Sequence, residues 1–200
     1  MNLVVLMVLA YLIGSVPFAL VIGKGIYHTD VREYGSGNLG ASNSGRVLGM
    51  TAGAVVMVLD AAKVFVVVIL AACFCDEVAI PLGGLAAAIG HCYPIFARFK
   101  GGKAVAGVYG FLFGLFIFTE YSPLVFFLPL GVFIAVLYVT KTISLASMIS
   151  AFTAVVYVYC AGGSGLMYGV LLAMFLLIVF RHRENIKRIV LGEENKITWM

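Results

Sequence analysis

The chain has 200 residues, 63% of them hydrophobic and only 11% charged, with a formal net charge of +4 and a mean hydropathy of +1.11. A soluble domain carries about 25% charged residues, so this composition excludes one and points to an integral membrane protein. The apolar runs are continuous rather than short alternating segments, which argues against a membrane β-barrel.

Runs long enough to cross a hydrocarbon core of roughly 30 Å predict seven transmembrane helices, over 2–23, 51–75, 79–97, 104–119, 122–139, 143–161 and 165–180. The fold class is an all-α polytopic membrane protein, a single domain over 1–200. The first run has no basic residue ahead of it and no Ala-x-Ala pattern, so it reads as a retained span rather than a signal peptide. Gly14-Ser15 and Pro17 predict a bend in it.

The loop that follows, 24–50, is 27 residues long and contains "GSGNLGASNSGR" at 35–46. Four glycines among Ser36, Asn38, Ser42, Asn43 and Ser44, closed by Arg46, make a poor helix and a poor strand. The same residues are rich in groups that hydrogen-bond oxyanions. A flexible polar connector is the plain alternative, but loops of this length are usually functional or disordered.

The second span carries Asp60 and Lys63 three residues apart. Lone charges are costly there, so they read as a structural ion pair, with substrate contact as the alternative. The third span runs into "GHCYPIFARFKGGK" at 90–103. His91, at membrane depth, faces other helices or a polar cavity, as a packing histidine or a ligand. In "FKGGKAVAG" at 99–107, Lys100 and Lys103 flank a Gly-Gly pair. Glycine lets backbone N–H groups approach a ligand closely, and the lysines suggest an anion; a basic turn pinning a helix is the competing reading.

The spans at 104–119 and 122–139 are short and could be taken for one broken element. "KTISLAS" after them adds the cation Lys141 and the hydroxyl Ser144. Beyond the last span, "RHRENIKR" at 181–188, continued as a helix, puts Arg181, Glu184 and Arg188 on one side and His182 and Asn185 on another. Contact with anionic lipid explains the cations. It does not explain His182 and Asn185.

With seven spans, twelve of the 13 Lys and Arg fall in alternate loops and the tail; the other loops hold only Asp76, Glu77 and Glu120. The positive-inside rule then puts the N-terminus outside and the C-terminus in the cytoplasm. Four segments rich in anion-binding groups share that cytoplasmic face. This predicts a site for phosphorylated ligands, close enough to the bilayer to handle something lipidic.

Other chemistries are narrowed by spacing. The G-x-x-x-x-G-K-[ST] phosphate loop is absent, Ala104 standing where its hydroxyl would be. There is no G-x-S-x-G elbow. His28, His91 and His182 are followed five residues later by Glu33, Phe96 and Lys187, so no His-x-x-x-x-Asp pair exists. Cys73, Cys75, Cys92 and Cys160 lack metal-site spacing and read as apolar packers; no metal site or cofactor is expected.

"GSGNLGASN", "GHCYPIFARFKGGKAVA" and "RHRENIKRIVLGEE", with "LDAAK" in the second span and "SLAS" before the sixth, resemble the motifs of the bacterial acyl-phosphate-dependent glycerol-3-phosphate acyltransferase (PlsY) family. The resemblance covers essentially the whole chain. It implies acyl transfer from acyl phosphate to the 1-hydroxyl of glycerol 3-phosphate, giving lysophosphatidic acid and phosphate, at the cytoplasmic face of the inner (plasma) membrane. Ser36, Arg46, His182 and Asn185 would form the catalytic set, and Asn38, Asn43, Gly101, Gly102, Lys103, Ser144 and Arg183 the substrate-binding set. Implied partners are the two substrates, membrane lipid and the soluble enzyme that makes acyl phosphate; nucleic acid is not one. Two positions depart from the family pattern: Ser42 replaces a threonine and Ala104 a glycine. A transporter of organic phosphates, a scaffold for soluble lipid enzymes and a diverged paralogue of low activity are the alternatives.

Overall fold

The computed structural model describes residues 1–76 and 78–197; Glu77, one of the acidic loop residues, lies outside them. The described residues are helical, with no strand among them. Two compact units divide the chain, Met1–Gly114 and Leu115–Met200.

The first unit opens with α1 (Leu3–Gly14), capped by Asn2, whose Oδ1 accepts from the Val4 N–H at 2.8 Å. The chain breaks at Ser15–Pro17 and resumes as α2 (Phe18–Gly25), at the bend predicted from Gly14-Ser15 and Pro17. α3 (Ala41–Leu48) is short, α4 (Met50–Phe74) is the longest helix, and α5 (Ala79–Cys92) ends before a single 3₁₀ turn at Ile95–Ala97. α6 (Val105–Phe118) begins in this unit, and the division between the units falls within it.

Helices here approach closely through small residues, as membrane packing demands where hydrophobic burial drives nothing. Gly14 and Gly90 bring α1 and α5 together: a Cβ at Gly14 would fall onto the Ala87 carbonyl, and one at Gly90 onto the Tyr11 carbonyl. On α6, Gly107 and Gly110 lie against Val64 and Ala61 of α4, and Gly114 against Val68. Gly53 of α4 lies against Gly45 of α3, where a Cβ would come within 2.7 Å of the Gly45 Cα.

That last contact explains a failed expectation. The stretch 35–46 is too rich in Gly, Ser and Asn to be helical by propensity, yet its second half folds as α3. Close packing on α4 and the burial of Asn43 and Ser44 override intrinsic preference.

The second unit contains α7 (Leu124–Thr140), α8 (Ile143–Cys160), α9 (Gly165–Arg181) and α10 (Arg183–Val190). α7 packs on α8 and α8 on α9, with Ser150 Oγ donating to the Pro129 carbonyl at 2.8 Å. α9 and α10 meet at His182 with a bend of 59°, where a continuous helix was expected.

The seven predicted spans all fall on helices, the first on α1 and α2 together and the third on α5 with the 3₁₀ turn after it, and with those included the ends agree within about two residues. Four of them are long and apolar enough to cross a membrane, five if the bent α9–α10 pair counts as one. α6 and α7 are shorter, with 14 and 17 residues. At 1.5 Å per residue that is about 21 and 25 Å, short of the roughly 30 Å core.

Candidate functional site

In the first unit, the stretch 24–46 is organised by main-chain hydrogen bonding around one side chain. Asn43, on the inward face of α3, is 1% exposed. Its Nδ2 donates to the carbonyls of Val31 (2.9 Å) and Tyr34 (3.2 Å), and its Oδ1 accepts from the Ser36 N–H (2.8 Å) and Oγ (3.2 Å). The amide is therefore engaged with its own loop. Gly35 and Gly37 turn the chain there with φ of +61° and +66°, and a Cβ at Gly35 would land on Asn43 Oδ1. Glycine is required at that turn.

The loop's charges are partly settled internally. Asp30 takes a two-pronged bond from Arg32 and an ion pair from Lys24 at 2.9 Å. The Arg32 guanidinium, against the opposing effect of burial and helped by Lys24, holds the Asp30 carboxyl well below the usual carboxylate range. Arg46 is exposed and lies back along α3, its Nη2 3.2 Å from Ser42 Oγ and its Nε 3.3 Å from the Ser42 carbonyl. A serine at 42 thus supplies the hydroxyl acceptor that a threonine would. Ser36 is exposed, and Asn38 is half-buried in the turn closed by the Gly40 N–H on the Asn38 carbonyl.

The second motif folds back on the end of α5. The Gly102 N–H donates to the His91 carbonyl at 3.0 Å. A Cβ at Gly101 would fall onto the His91 carbonyl and Pro94, and one at Gly102 onto His91 Nε2. Both glycines are buried against the scaffold, and Lys103 beside them is half-buried. Arg98, Phe99 and Ala104 have φ of 54°, 59° and 60°. Three non-glycine residues in the left-handed region within seven positions mark a loop whose shape is imposed by its surroundings. Ala104 also begins α6, its carbonyl accepting from the Val108 N–H at 2.8 Å.

Behind this loop, α4 places Asp60 and Lys63 together, 2.7 Å apart and nearly inaccessible. Lys63 Nζ also donates to the Val16 carbonyl at 2.9 Å, and His91 Nδ1 lies 3.5 Å from Asp60 Oδ1. Leu39, Asp60, Lys63, His91 and Gly101 border one interior gap too tight to admit a water. The sequence reading of Asp60 and Lys63 as an ion pair is the arrangement observed.

In the second unit, polar side chains gather on one carboxylate. Glu194 Oε1 accepts from Asn185 Nδ2 at 2.6 Å and Ser144 Oγ at 2.8 Å, and Oε2 accepts from Arg188 Nε at 2.8 Å. Burial raises the Glu194 carboxyl, but the bonds from Asn185, Ser144 and Arg188 outweigh it and hold the group below its usual value. The Ile197 N–H to the Lys141 carbonyl, 2.8 Å, ties the tail to the start of α8. His182, 3% exposed, sits at the bend with Nδ1 2.9 Å from the Ile178 carbonyl. A carbonyl can only accept, so Nδ1 carries a proton in that contact. Arg183 is exposed, its guanidinium 4.9 Å over the Phe180 ring.

The structure thus brings Ser36 and Asn43 together within the first unit, sets Gly101 and Gly102 on His91, and joins Ser144 to Asn185 within the second. Sequence reasoning missed Glu194 as the residue that gathers them. It was quoted in "LGEE", but its partners lie six, nine and 50 residues away, beyond any helical or turn spacing. Among the described residues no three His, Cys, Asp or Glu side chains gather as a metal set.

A family profile described as glycerol-3-phosphate acyltransferase matches residues 4–192. A glycerol-3-phosphate acyltransferase of Listeria welshimeri is 45% identical over 202 residues, spanning 100% of this chain and 98% of its own. One from Bacillus subtilis is 42% identical over 200 residues, with all of both chains covered. Among solved structures, the glycerol 3-phosphate form of PlsY (YgiH), an integral membrane glycerol 3-phosphate acyltransferase, superposes with a TM-score of 0.91 at 35% identity, covering 99% of this chain and 96% of that one. Its lysophosphatidic acid form gives 0.89 at 34% identity over 99% and 96%.

Proposed function

The chain belongs to the glycerol-3-phosphate acyltransferase family and is a membrane acyltransferase, and from that premise we propose that it moves an acyl group from acyl phosphate to the 1-hydroxyl of glycerol 3-phosphate. The products are 1-acyl-glycerol 3-phosphate and phosphate, the first acylation of phospholipid synthesis. The observation that carries this reading is the glycine loop at 101–102, folded hard onto His91 with a lysine beside it. A fixed turn with a lysine on it supports a phosphate-binding reading.

The chemistry suits such a chain. Acyl phosphate is a mixed anhydride, so the acyl group arrives activated and needs no enzyme nucleophile. The hydroxyl oxygen adds to the acyl carbonyl carbon, the bond from that carbon to the phosphate oxygen breaks, and phosphate leaves with the electron pair. The protein supplies position and charge. Arg46, Lys103 and Arg183 hold the two substrates' phosphates, with Asn38, and Gly101 and Gly102 shape the turn that presents Lys103. In the second unit Asn185 steadies the developing oxyanion with the N–H that Glu194 does not take, and Ser144 gives its one proton to Glu194 and fixes that carboxylate; in the first unit Asn43 holds the turn that carries Ser36, the hydroxyl of the catalytic set. The hydroxyl proton goes either to Nε2 of His182 or to the departing phosphate.

The chain works as one domain across seven spans, N-terminus outside and C-terminus in the cytoplasm, in the inner (plasma) membrane, with the motifs facing cytoplasmic metabolites and the soluble enzyme that makes acyl phosphate. The near-complete confinement of Lys and Arg to alternate loops supports the orientation, and relatives that match end to end support a single working unit. In a cysteine-free variant of intact cells, cysteines placed at Ser36 or Gly192 resist an impermeant thiol reagent and one at Glu120 reacts. The reverse pattern rejects the orientation. Purified protein in detergent, given both substrates, releases phosphate; no release, together with flux of glycerol 3-phosphate into sealed vesicles, would favour a transporter.

A further inference from the structure

Asp60, Lys63 and His91 take no part in the reaction as drawn, yet they form a buried polar cluster in the first unit. All three are at most 6% exposed, and two of them are charged groups within an apolar 25-residue helix. A buried ion pair adds little stability over well-packed hydrophobic residues. What it can add is direction, by fixing the groups that touch it.

Here the fixed group is the His91 ring. One edge presents Nδ1 to Asp60 Oδ1 at 3.5 Å, an electrostatic contact longer than a well-formed hydrogen bond. The opposite edge, Nε2 and Cε1, occupies the space that a Cβ on Gly102 would need. The His91 carbonyl meanwhile accepts the Gly102 N–H, 3.0 Å. Asp60 is itself anchored, since Lys63 holds it and is tied to the Val16 carbonyl. The ring is wedged between a charge pair on α4 and the backbone of the glycine loop.

We propose that His91 is a positioning residue for anion binding: Asp60 and Lys63 hold its ring against Gly102, and the ring, with the His91 carbonyl that takes the Gly102 N–H, sets the path of the loop that presents Lys103. This rests on the acyltransferase reading for the identity of the anion, the phosphate of glycerol 3-phosphate. His91 does not touch the reacting atoms in this account. Its loss therefore weakens glycerol 3-phosphate binding and leaves the acyl donor and the chemical step nearly unchanged.

Three full-length variants in detergent test it: His91→Asn, the charge-free pair Asp60→Asn/Lys63→Met, and all three changes together. Removing both charges at once avoids stranding either one. The expected result is a five- to twentyfold rise in the KM for glycerol 3-phosphate with His91→Asn, the KM for acyl phosphate and kcat staying within twofold. The charge-free pair raises the same KM, and the triple variant is no worse than His91→Asn, because the pair acts only through the ring. Should the charge-free pair fail to fold, the KM split of His91→Asn decides alone. An unchanged KM for glycerol 3-phosphate, an equal rise for both substrates, or effects that multiply in the triple variant overturns the proposal. Wild-type protein that releases no phosphate overturns the acyltransferase reading instead. The positioning role then stands if inorganic phosphate raises the melting temperature of wild type and not of His91→Asn, and falls if both respond alike.

Discussion

The two units prepare their polar groups in different ways. In the first, the loops at 24–46 and 90–104 are built from main chain: glycines at close approach, left-handed turns at Gly35, Gly37 and Ala104, and one buried amide, Asn43, that holds three loop residues. In the second, side chains from α8, α10 and the tail converge on the carboxylate of Glu194. A shaped backbone fixes the path of a loop, whereas a carboxylate fixes side chains drawn from distant segments; under the proposed function the first suits anion binding and the second suits acyl transfer.

His182 should give the largest effect, and it bears on the second unit alone. If Nε2 takes the hydroxyl proton, His182→Gln lowers kcat by roughly 10²–10⁴ with either KM little changed. Near-normal kcat in that variant assigns the proton to the departing phosphate and reduces the second unit's part to orientation.

Asn43→Leu attacks the first unit's scaffold. It strands the buried Val31 carbonyl, at about 1–3 kcal/mol, and releases the less buried Tyr34 carbonyl and Ser36 N–H. Activity should fall at least thirtyfold and the melting temperature by roughly 5–10 °C. A variant with wild-type activity would mean that the loop holds its shape without the amide.

Glu194→Gln should act more gently, since an amide oxygen still accepts from Ser144 and Asn185 while the new NH₂ opposes Arg188. A fall in kcat of about tenfold is expected, with little change in the KM for glycerol 3-phosphate. The carboxyl is held below its ordinary value of 4.5, so its contribution to stability is present above that pH. It is lost as pH falls through the lower folded value. Wild type should therefore lose more stability than Glu194→Gln on acidification below about pH 4.5, measured by thermal unfolding in detergent; parallel losses would remove Glu194 from the account.

Ala104→Gly is the smallest and the sharpest for the first unit. Relief of the left-handed alanine is worth about 1–2 kcal/mol, against about 0.8 kcal/mol for the buried methyl lost. Stability should hold or rise slightly, and the KM for glycerol 3-phosphate should fall several-fold while that for acyl phosphate stays put. A lower melting temperature with both KM values unchanged would make Ala104 an ordinary start of α6.

Most of the helical frame was legible because membrane spans are written in composition: runs such as 143–161 cannot be anything else in water or lipid. The glycine loop was legible too, because Gly-Gly between lysines is rare in so apolar a chain. What was hidden depended on tertiary contact. α3 forms against its own propensities because Gly45 meets Gly53. The His91–Gly102 contact joins residues whose spacing carries no periodic signal. Glu194 is one acidic residue among several, given its place by a tail that returns to α8. The left-handed φ of Ala104 has no signal in the sequence beyond its replacing a glycine of the family pattern.

The central claim is acyl transfer from acyl phosphate, and product stoichiometry in purified protein tests it most directly. With acyl phosphate and glycerol 3-phosphate together, phosphate and lysophosphatidic acid should appear in equal amounts. Neither should appear when glycerol 3-phosphate is omitted, and an acyl thioester should not replace acyl phosphate. Phosphate release that does not need glycerol 3-phosphate, or lysophosphatidic acid formed equally well from the thioester, would contradict the account.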